Sequence, residues 1–387
     1  MELSNYKLRE LIKIKNGRDH KGLKEGKYPV FGSGGIMRYV DSFLYDKSSV
    51  LLPRKGTLNN IQYADKPFWT VDTIYYTEVD EKKVNAYYLY NYLKLLDLSN
   101  LDSGTGVPSM TFDSYYNLTV KLPSLKIQNK VAKALSHIDK KISINRQINR
   151  NLEELAKQIY DYWFVQFDFP NEEGKPYKSS GGKMVWNETL KREIPAGWKN
   201  GVLSNIAYIT MGQSPEGSSY NEDGIGTIFY QGSTDFGIRF PNVRMYTTKP
   251  TRFAKIGDIL MSVRAPVGAM NIANSDCCIG RGLSAMNSKI GSITYLYYTM
   301  DYFRHTFENK NAVGTTFGSI TKDELYNLPV VIPSKEVISA FNVKTIYIFN
   351  QQLSTSKEIQ ELTALRDSLL PLLMNGQVTL NSCLSHD

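Results

Sequence analysis

The chain has 387 residues, of which 42% are hydrophobic and 22% are charged, as in an ordinary soluble globular protein with two or more domains. No apolar run approaches the roughly 18–20 residues of a membrane span, and the N-terminal residues lack the apolar core of a secretory signal, so we expect no membrane association and a cytoplasmic location. The three cysteines and four histidines lack ligand spacing, which predicts neither a disulfide framework nor a metal site.

The net charge of +8 is distributed unevenly along the chain. Residues 1–197 hold 30 Lys and Arg against 23 Asp and Glu, whereas residues 198–387 hold 16 against 15. A basic excess favours phosphate-bearing partners, because each neutralised phosphate releases condensed counterions. Charge alone is equally compatible with an ordinary solvated surface.

Both halves of the chain predict a mixture of strands and short helices. In the first half, residues 50–54 (VLLPR) and 74–79 (IYYTEV) have the pattern of strands, and residues 86–96 that of a helix. In the second half, residues 259–263 (ILMSV) predict a buried strand and residues 293–303 predict a helix.

Glycine-rich turns and a final strand complete each half. The turns fall at residues 31–35 (FGSGG) and 230–237 (YQGSTDFG). The segments VKLP at 120–123 and VVIP at 330–333 predict a last strand that leads into a long helix.

The long helix of the first half covers about residues 125–164, where apolar residues alternate at spacings of four and three. Such a seven-residue repeat requires a partner helix to cover its apolar seam. A second helix at about 335–370 has a similar pattern, and we expect Pro371 and Gly376 to end it. Polar residues in mid-seam either set the register of a helix pair or face solvent or a partner protein: Asn145, Asn149, Gln352 and Thr355.

The two halves are related by an internal repeat. Residues 104–124 (GTGVPSMTFDSYYNLTVKLPS) match residues 314–334 (GTTFGSITKDELYNLPVVIPS) at a constant offset, and the match continues into both long helices. Upstream the similarity is looser, and residues 17–50 and 212–250 diverge most. The predicted fold class is α+β, with two mixed α/β domains separated by two long helices that form an antiparallel coiled coil related by a pseudo-twofold repeat.

Between the halves, residues 167–198 have no counterpart in the repeat. Their Pro, Gly, Ser and charged residues predict an irregular connector with little to bury.

Motifs of catalysis are missing from the sequence. It contains neither a Walker-type phosphate loop nor the Gly-x-Ser-x-Gly elbow of hydrolases, and no Pro-Pro dipeptide of the kind that amino-methyltransferases use to hold a target amine. Metal-dependent nucleases use Glu-x-Lys pairs, but the pairs at Glu81–Lys83 and Glu173–Lys175 have no equivalents in the other half of the chain. We therefore expect any chemistry to belong to a partner protein.

The sequence resembles the DNA-specificity subunits of type I restriction–modification systems. The resemblance rests on residues 160–186, on REIPAGW at 192–198, on the two repeated blocks, and on SLLPLLMNGQV at 368–378. It implies two target-recognition domains, at 1–124 and 198–334, and two long helices, at 125–165 and 335–375. The connector would then span 166–197 and a C-terminal tail 376–387.

The resemblance also implies partners and a division of labour. Each domain would read one half of a split site in double-stranded DNA, with the helices as a ruler between them. Two methyltransferase subunits would dock on the helices and use S-adenosylmethionine, and restriction subunits would use ATP and Mg²⁺ to translocate and cleave DNA. No cofactor is expected in this chain.

Arginine, lysine and glutamine side chains supply the donors that base edges and phosphates accept. Arg54 and Arg264 stand at the ends of corresponding predicted strands, and we prefer them as an equivalent pair. The full set of candidate DNA-binding residues is Arg18, Arg38, Arg54, Lys55, Gln213, Arg239, Arg244, Arg252, Arg264 and Arg281.

Two other functions are compatible with the sequence. The chain could be a stand-alone two-headed DNA-binding protein, which co-purification with a methyltransferase would argue against. It could also be a nuclease or methyltransferase in its own right, which activity of the purified chain alone would establish.

Overall fold

The computed structural model describes residues 2–98, 108–312 and 318–378. Its internal contacts divide the chain into two compact units, one formed by Met1–Ser143 with Gln360–Asp387 and the other by Ile144–Ile359. The predicted domain limits stay a prediction, because both long helices contribute residues to both units. Gly104, Thr105, Gly314 and Thr315 of the repeated blocks lie outside the described residues.

Within its described residues, the first unit contains nine strands and two short α-helices before the first long helix, α3, which continues into the second unit. Its elements are β1 (Ser4–Lys7), β2 (Ile12–Asn16), β3 (Glu25–Gly32), β4 (Gly35–Val40), β5 (Ser49–Pro53), β6 (Gln62–Ala64), β7 (Trp69–Thr70), β8 (Ile74–Val79), α1 (Ala86–Lys94), α2 (Phe112–Tyr116), β9 (Thr119–Leu122) and α3 (Leu125–Tyr160). The strands predicted at 50–54 and 74–79 and the helix predicted at 86–96 are confirmed.

Two sheets form the body of the first unit. One has the strand order β2-β8-β5-β6, and its strand β5 is buried on both faces because Val50, Leu51 and Leu52 form a continuous apolar run. The other has the order β4-β3-β7, with β3 and β7 parallel. The predicted glycine-rich turn at 31–35 joins β3 to β4.

The part of the second unit that follows the connector repeats this plan. Its elements are β12 (Lys199–Val202), α4 (Leu203–Ile206), β13 (Ala207–Met211), β14 (Tyr220–Asn221), β15 (Thr227–Tyr230), β16 (Tyr246–Thr247), β17 (Phe253–Ala254), β18 (Ile259–Ser262), β19 (Met270–Ile272), β20 (Cys277–Ile279), β21 (Leu283–Ser288), α5 (Ile293–Ala312), α6 (Lys322–Tyr326), β22 (Pro329–Ile332) and α7 (Lys335–Met374).

The topologies of the two units correspond, apart from strands β14 and β17, which have no counterpart among the described residues of the first unit. The sheet β13-β21-β18-β19 of the second unit has the connectivity of β2-β8-β5-β6, and β12 pairs with β22 as β1 pairs with β9. In the sheet β14-β16-β15-β20-β17, the parallel pair β15–β20 corresponds to β3–β7. The repeat predicted from sequence is therefore a repeat of fold.

The segment between the halves corrects the sequence prediction. Residues 184–187 and 192–195 form an antiparallel hairpin of strands β10 (Met184–Asn187) and β11 (Arg192–Pro195). Phe167 and Phe169 are buried, and their rings pack on Trp198. The prediction of little to bury was wrong, because the polar residues of this segment surround a few aromatic ones that carry most of the apolar area.

The two long helices form hydrogen bonds with each other within each unit. In the first unit Arg366 of α7 donates to Asp139 of α3 at 2.9 Å. In the second unit Asn145 donates to Glu358 and Asn149 to Ser356, both at 2.7 Å. In the second unit numbers rise along one helix as they fall along the other, which is consistent with the predicted antiparallel orientation.

Three of the four polar seam residues form hydrogen bonds between the two helices. Asn145, Gln352 and Thr355 are buried. Gln352 donates to Glu153 at 2.9 Å, whereas Thr355 donates to the carbonyl of Gln351 in its own helix. Of the two alternatives open from sequence, the seam position applies, and Asn145, Asn149 and Gln352 specify register.

Helix α7 continues through Pro371, which corrects its predicted end. Pro371 lies inside the helix, its carbonyl accepts a hydrogen bond from the backbone of Asn375, and the helix ends at Met374. Leu370, Leu373 and Met374 are buried in the core of the first unit, and this burial offsets the lost backbone hydrogen bond. Gly376 follows the helix with a positive φ of 72°, as expected of a C-terminal glycine.

Among the described residues, no helix combines the length and the apolar character needed to cross a membrane.

Arg239, a predicted DNA-binding residue, is instead part of the interior of the second unit. Its side chain is only 9% exposed and forms an ion pair with Glu153 of α3. The guanidinium lies 4.7 Å from the ring centre of Tyr297 and 5.7 Å from that of Phe349. The prediction for Arg239 was wrong because arginine stacks on aromatic rings and pairs with buried carboxylates as readily as it binds phosphate.

Replacing Glu153 tests the importance of this ion pair. Glu153→Gln leaves the Arg239 charge buried without a partner, and we expect the second unit to lose about 2 kcal/mol of stability, less than for a fully buried pair because Glu153 is partly exposed. Denaturant unfolding of the full chain measures the change. The exposed neighbour provides the control, and Glu154→Gln should leave the midpoint unchanged; equal effects of the two substitutions would contradict the assignment.

Candidate nucleic-acid interface

In the first unit, three predicted residues converge on the segment 70–73 between β7 and β8. The backbone N–H of Arg18 donates to the carbonyl of Thr70 at 2.8 Å. The N–H groups of Arg54 and Lys55 both donate to the carbonyl of Thr73, at 2.9 and 3.2 Å. These bonds place Arg18, Arg54 and Lys55 beside the segment 70–73, which also contains the exposed Asp72. We call this segment and the residues beside it the edge of the unit.

In the second unit, four predicted residues converge on the segment 279–282 between β20 and β21. Gln213 donates its N–H to the carbonyl of Ile279 at 3.0 Å, and Ile279 donates to the carbonyl of Arg252 at 2.9 Å. Val263, directly before Arg264, donates to the carbonyl of Gly282 at 2.9 Å. Arg281 lies inside the segment. All four predicted side chains are exposed: Gln213, Arg252, Arg264 and Arg281.

The two segments are equivalent positions of the repeated fold. The parallel strand pairs align Phe31 with Thr70 in one unit and Tyr230 with Ile279 in the other. In both units the residue that follows the aligned pair donates its backbone N–H to the equivalent carbonyl. Val71 donates to Phe31, and Gly280 donates to Tyr230. It follows that Asp72 corresponds to Arg281.

The hydrogen bonds to these segments align further residues. Arg18 corresponds to Gln213, because each follows a glycine and donates to the last residue of its parallel strand. The backbone N–H of Arg54 donates to the carbonyl of Thr73, and that of Val263 donates to the carbonyl of Gly282. Each acceptor is the third residue after the end of the parallel strand in its unit. The residues that follow them, Lys55 and Arg264, are therefore equivalent.

This alignment corrects the preferred pairing of Arg54 with Arg264. Lys55 forms a backbone bridge to Ser109, and Arg264 forms the corresponding bridge to Ser319. The structural counterpart of Arg54 is the buried Val263. Arg54 instead lies over the ring of Tyr75, 5.9 Å from its centre, and donates to the carbonyl of Asp72 at 3.4 Å. The predicted pairing was wrong by one residue. The sequences around the strand end do not determine which side chains of the strand face outward.

A close approach of two backbone segments, which we call the crossing, holds each edge in position. A Cβ atom on Gly17 would lie 2.0 Å from the carbonyl oxygen of Val71, and one on Gly212 would lie 2.1 Å from that of Gly280. No side chain fits at either crossing, so glycine is required there. The crossing directs the next residue, Arg18 or Gln213, to the edge.

Two other predicted residues form contacts within the protein. Arg38 donates to the carbonyl of Leu23 at 3.0 Å. Arg244 forms an ion pair with the buried Asp235, whose other oxygen accepts the N–H of Gln231 at 3.0 Å. Gln231 follows Tyr230, so Arg244 supports the edge through Asp235, and its side chain is still 59% exposed. Arg239, by contrast, is withdrawn into the core.

Asp72 was not among the residues predicted from the sequence. The segment TVDT at 70–73 has no visible similarity to IGRG at 279–282, and an acidic residue was not sought among DNA-binding candidates. Only the hydrogen-bonding pattern of the two folds relates Asp72 to Arg281.

Burial shifts the pKa values of two groups in the second unit, Cys277 and Asp258. Burial raises the pKa of the Cys277 thiol to about 12, so this cysteine stays protonated inside a sheet. Burial also raises the pKa of Asp258, which accepts hydrogen bonds from Lys255 and Asn287. Within the described ranges, no three or more His, Cys, Asp and Glu side chains form a group able to hold a metal ion.

Two repeated α/β units, each with an exposed edge of polar side chains on a rigid backbone crossing, define a protein with two related recognition domains. The family described as "Type I restriction modification DNA specificity domain" matches residues 2–154 and again 195–364. The chain belongs to this family and contains its domain twice.

Known relatives agree with this membership. The chain is 32% identical over 309 residues to a putative type I restriction enzyme MjaX specificity subunit of Methanocaldococcus jannaschii, covering 77% of this chain and 69% of that one. It is 27% identical over 352 residues to the type I restriction enzyme HindI specificity subunit of Haemophilus influenzae, covering 74% of each. The type I S subunit of M. genitalium has the same fold, with a TM-score of 0.66 over 96% of both chains at 17% identity.

The glycine crossings can be tested by adding one methyl group. We expect Gly17→Ala and Gly212→Ala each to destabilise the chain by about 1–3 kcal/mol, because the new Cβ overlaps a backbone carbonyl that cannot rotate away. Thermal or denaturant unfolding measures the loss.

Two other glycines provide matched controls for these variants. A Cβ on Gly22 or Gly217 meets nothing within 4 Å, so Gly22→Ala and Gly217→Ala should be neutral or slightly stabilising. Similar behaviour of all four variants would show that the crossings impose no constraint.

Proposed function

We propose that the chain is the specificity subunit of a type I restriction–modification complex and that it recognises a bipartite site in double-stranded DNA. Each unit would read one half-site with the residues of its exposed edge. The observation that carries this proposal is the recurrence of one backbone arrangement with different side chains, Arg18, Lys55 and Asp72 in one unit against Gln213, Arg264 and Arg281 in the other.

The chemistry of the two edges suits DNA. Within the described part of the chain, the side chains of Lys55, Arg264 and Arg281 are exposed and enter no ion pair, so they are available to phosphates and base edges. Two readers with one backbone and different side chains would recognise two different short sequences. A gap of about one helical turn, roughly 34 Å, is the expected spacing between half-sites.

The reactions would belong to other subunits of the complex. On this proposal the chain itself is not catalytic and works in the cytoplasm. Two methyltransferase subunits would supply S-adenosylmethionine chemistry, and restriction/translocase subunits would use ATP and Mg²⁺. No residue of this chain is assigned to a cofactor.

Exposed apolar residues on the long helices support docking of the methyltransferase subunits there. On α3, Ile144, Ile148 and Leu155 are exposed by 55%, 38% and 46% and share one helix face. On α7, Leu365 is 47% exposed, and it is the repeat counterpart of Leu155. Apolar side chains at equivalent exposed positions of two helices are typical of a surface that a partner covers.

Replacing the exposed arginine of the second edge tests the half-site assignment. We expect Arg264→Ala to weaken binding at the second half-site about tenfold, with protection of the first half-site retained, because the edges act independently. The salt dependence of binding should decrease by about one counterion if Arg264 contacts a phosphate. Footprinting of the assembled complex on its methylated site measures both.

The equivalent and control variants complete this test. Lys55→Ala should weaken only the first half-site. Lys199→Ala removes an exposed charge from β12, outside the edge, and should change neither half-site. Unchanged protection of the second half-site by Arg264→Ala would refute the assignment.

Docking is tested on the equivalent leucines. Leu155→Ser and Leu365→Ser should leave folding intact, because both side chains are about half exposed, and should lower the affinity for the methyltransferase subunits at least about tenfold. Co-purification and titration with those subunits measure the effect. Ile256→Ser, at a 57% exposed position of the second unit, is the control. Full assembly by both leucine variants would exclude this surface.

A further inference from the structure

We propose that Asp72 and Arg281 are specificity-determining residues at equivalent positions of the two half-site readers: Asp72 accepts a hydrogen bond from the exocyclic amino group of a cytosine or adenine, and Arg281 donates to a guanine. This inference rests on the proposed function and assigns two of its base contacts.

The equivalence of the two positions is fixed by the backbone. Each residue lies two positions after the end of a parallel strand, Thr70 in one unit and Ile279 in the other. Each precedes a carbonyl, that of Thr73 or Gly282, which accepts an N–H from the neighbouring strand end. The side chains therefore occupy the same position on the two edges.

Both side chains are exposed and free to act. Within the described part of the chain, the Asp72 carboxylate has neither a hydrogen bond nor an ion pair, and the contact to Arg54 involves only the backbone carbonyl. Arg281 contacts Ser214 through its backbone N–H and leaves its guanidinium unpaired. Among the described residues, neither charged group forms a contact that would hold it within the fold.

The charge of Asp72 selects its contact on DNA. Arg18, Arg54 and Lys55 converge on the same segment, so this edge faces phosphates, which a carboxylate repels. An ionised carboxylate only accepts hydrogen bonds. On the base edges of the major groove the donors are the amino groups of cytosine N4 and adenine N6. A contact of Asp72 with a base amino group is therefore favourable, whereas a contact with the DNA backbone is unfavourable.

The chemistry of Arg281 is complementary. Guanine O6 and N7 present two acceptors side by side, which the guanidinium fork matches with two hydrogen bonds. The flanking Gly280 and Gly282 pack against Gln231, where a Cβ would lie within 3.1 and 2.7 Å of backbone atoms. The backbone that carries Arg281 is thus fixed, which favours a base contact of defined geometry over a loose phosphate contact.

The experiment determines the methylated motif of the complete complex by sequencing host DNA that carries the wild-type chain, Asp72→Ala or Arg281→Ala. The wild type must first give a bipartite motif; a complex that methylates no such motif would overturn the proposed function itself. Asp65→Ala, at another exposed carboxylate of the first unit, is the control and should give the wild-type motif.

With a wild-type motif in hand, the variants decide the inference. We expect Asp72→Ala to relax the base requirement at one position of the first half-site, where cytosine or adenine lies on either strand. Methylation of sites with another base at that position, measured relative to the cognate site, should rise about tenfold. Arg281→Ala should relax one guanine of the second half-site by a similar factor. The relaxed base identifies which amino group Asp72 accepts from.

Two outcomes would overturn the inference and leave the proposed function standing. One is an unchanged motif with both variants. The other is a uniform loss of methylation at all sites with no relaxed position, which would give these residues a structural or phosphate-binding function. Asp72→Asn separates charge from shape, and we expect it to alter discrimination at the same position as Asp72→Ala.

Discussion

The contact that each unit depends on is a backbone crossing that admits no side chain. Gly17 lies against the carbonyl of Val71, and Gly212 lies against that of Gly280. Each crossing joins the strand before it to the end of a parallel strand and directs the next residue outward. Because the crossing consists of backbone alone, side chains around it can change without disturbing it. Such an arrangement lets one fold present different recognition residues.

Burial separates the arginines that hold the protein together from those available to a ligand. Arg239 is enclosed by Glu153, Tyr297 and Phe349, and it contributes to the interior as a large flat side chain with a paired charge. Arg264 and Arg281 have the same chemistry but lie on an exposed edge. The same residue type is therefore part of the core in one location and exposed to a ligand in another, and only the surroundings distinguish the two.

Sequence reasoning predicted the features that depend on local pattern. The buried strand at 50–54, the long helices and their antiparallel orientation follow from periodicity and from the repeat. It could not align Lys55 with Arg264, because one residue of shift reverses which side chains of a strand face outward. Nor could it relate Asp72 to Arg281, whose neighbours share no residues. The hairpin at 184–195 was missed because Pro, Gly, Ser and charged residues dominate the composition of the segment 167–198.

The central claim is that the two edges contact DNA in equivalent ways, one at each half-site. A DNA-cleaving reagent attached to a single cysteine tests it directly, in the assembled complex with Cys383 replaced by Ser; Cys277 and Cys278 are buried. Attached at Lys55→Cys, the reagent should cleave only within the first half-site, and attached at Arg264→Cys only within the second. Cleavage of the same half-site from both positions, or of neither, would contradict the account.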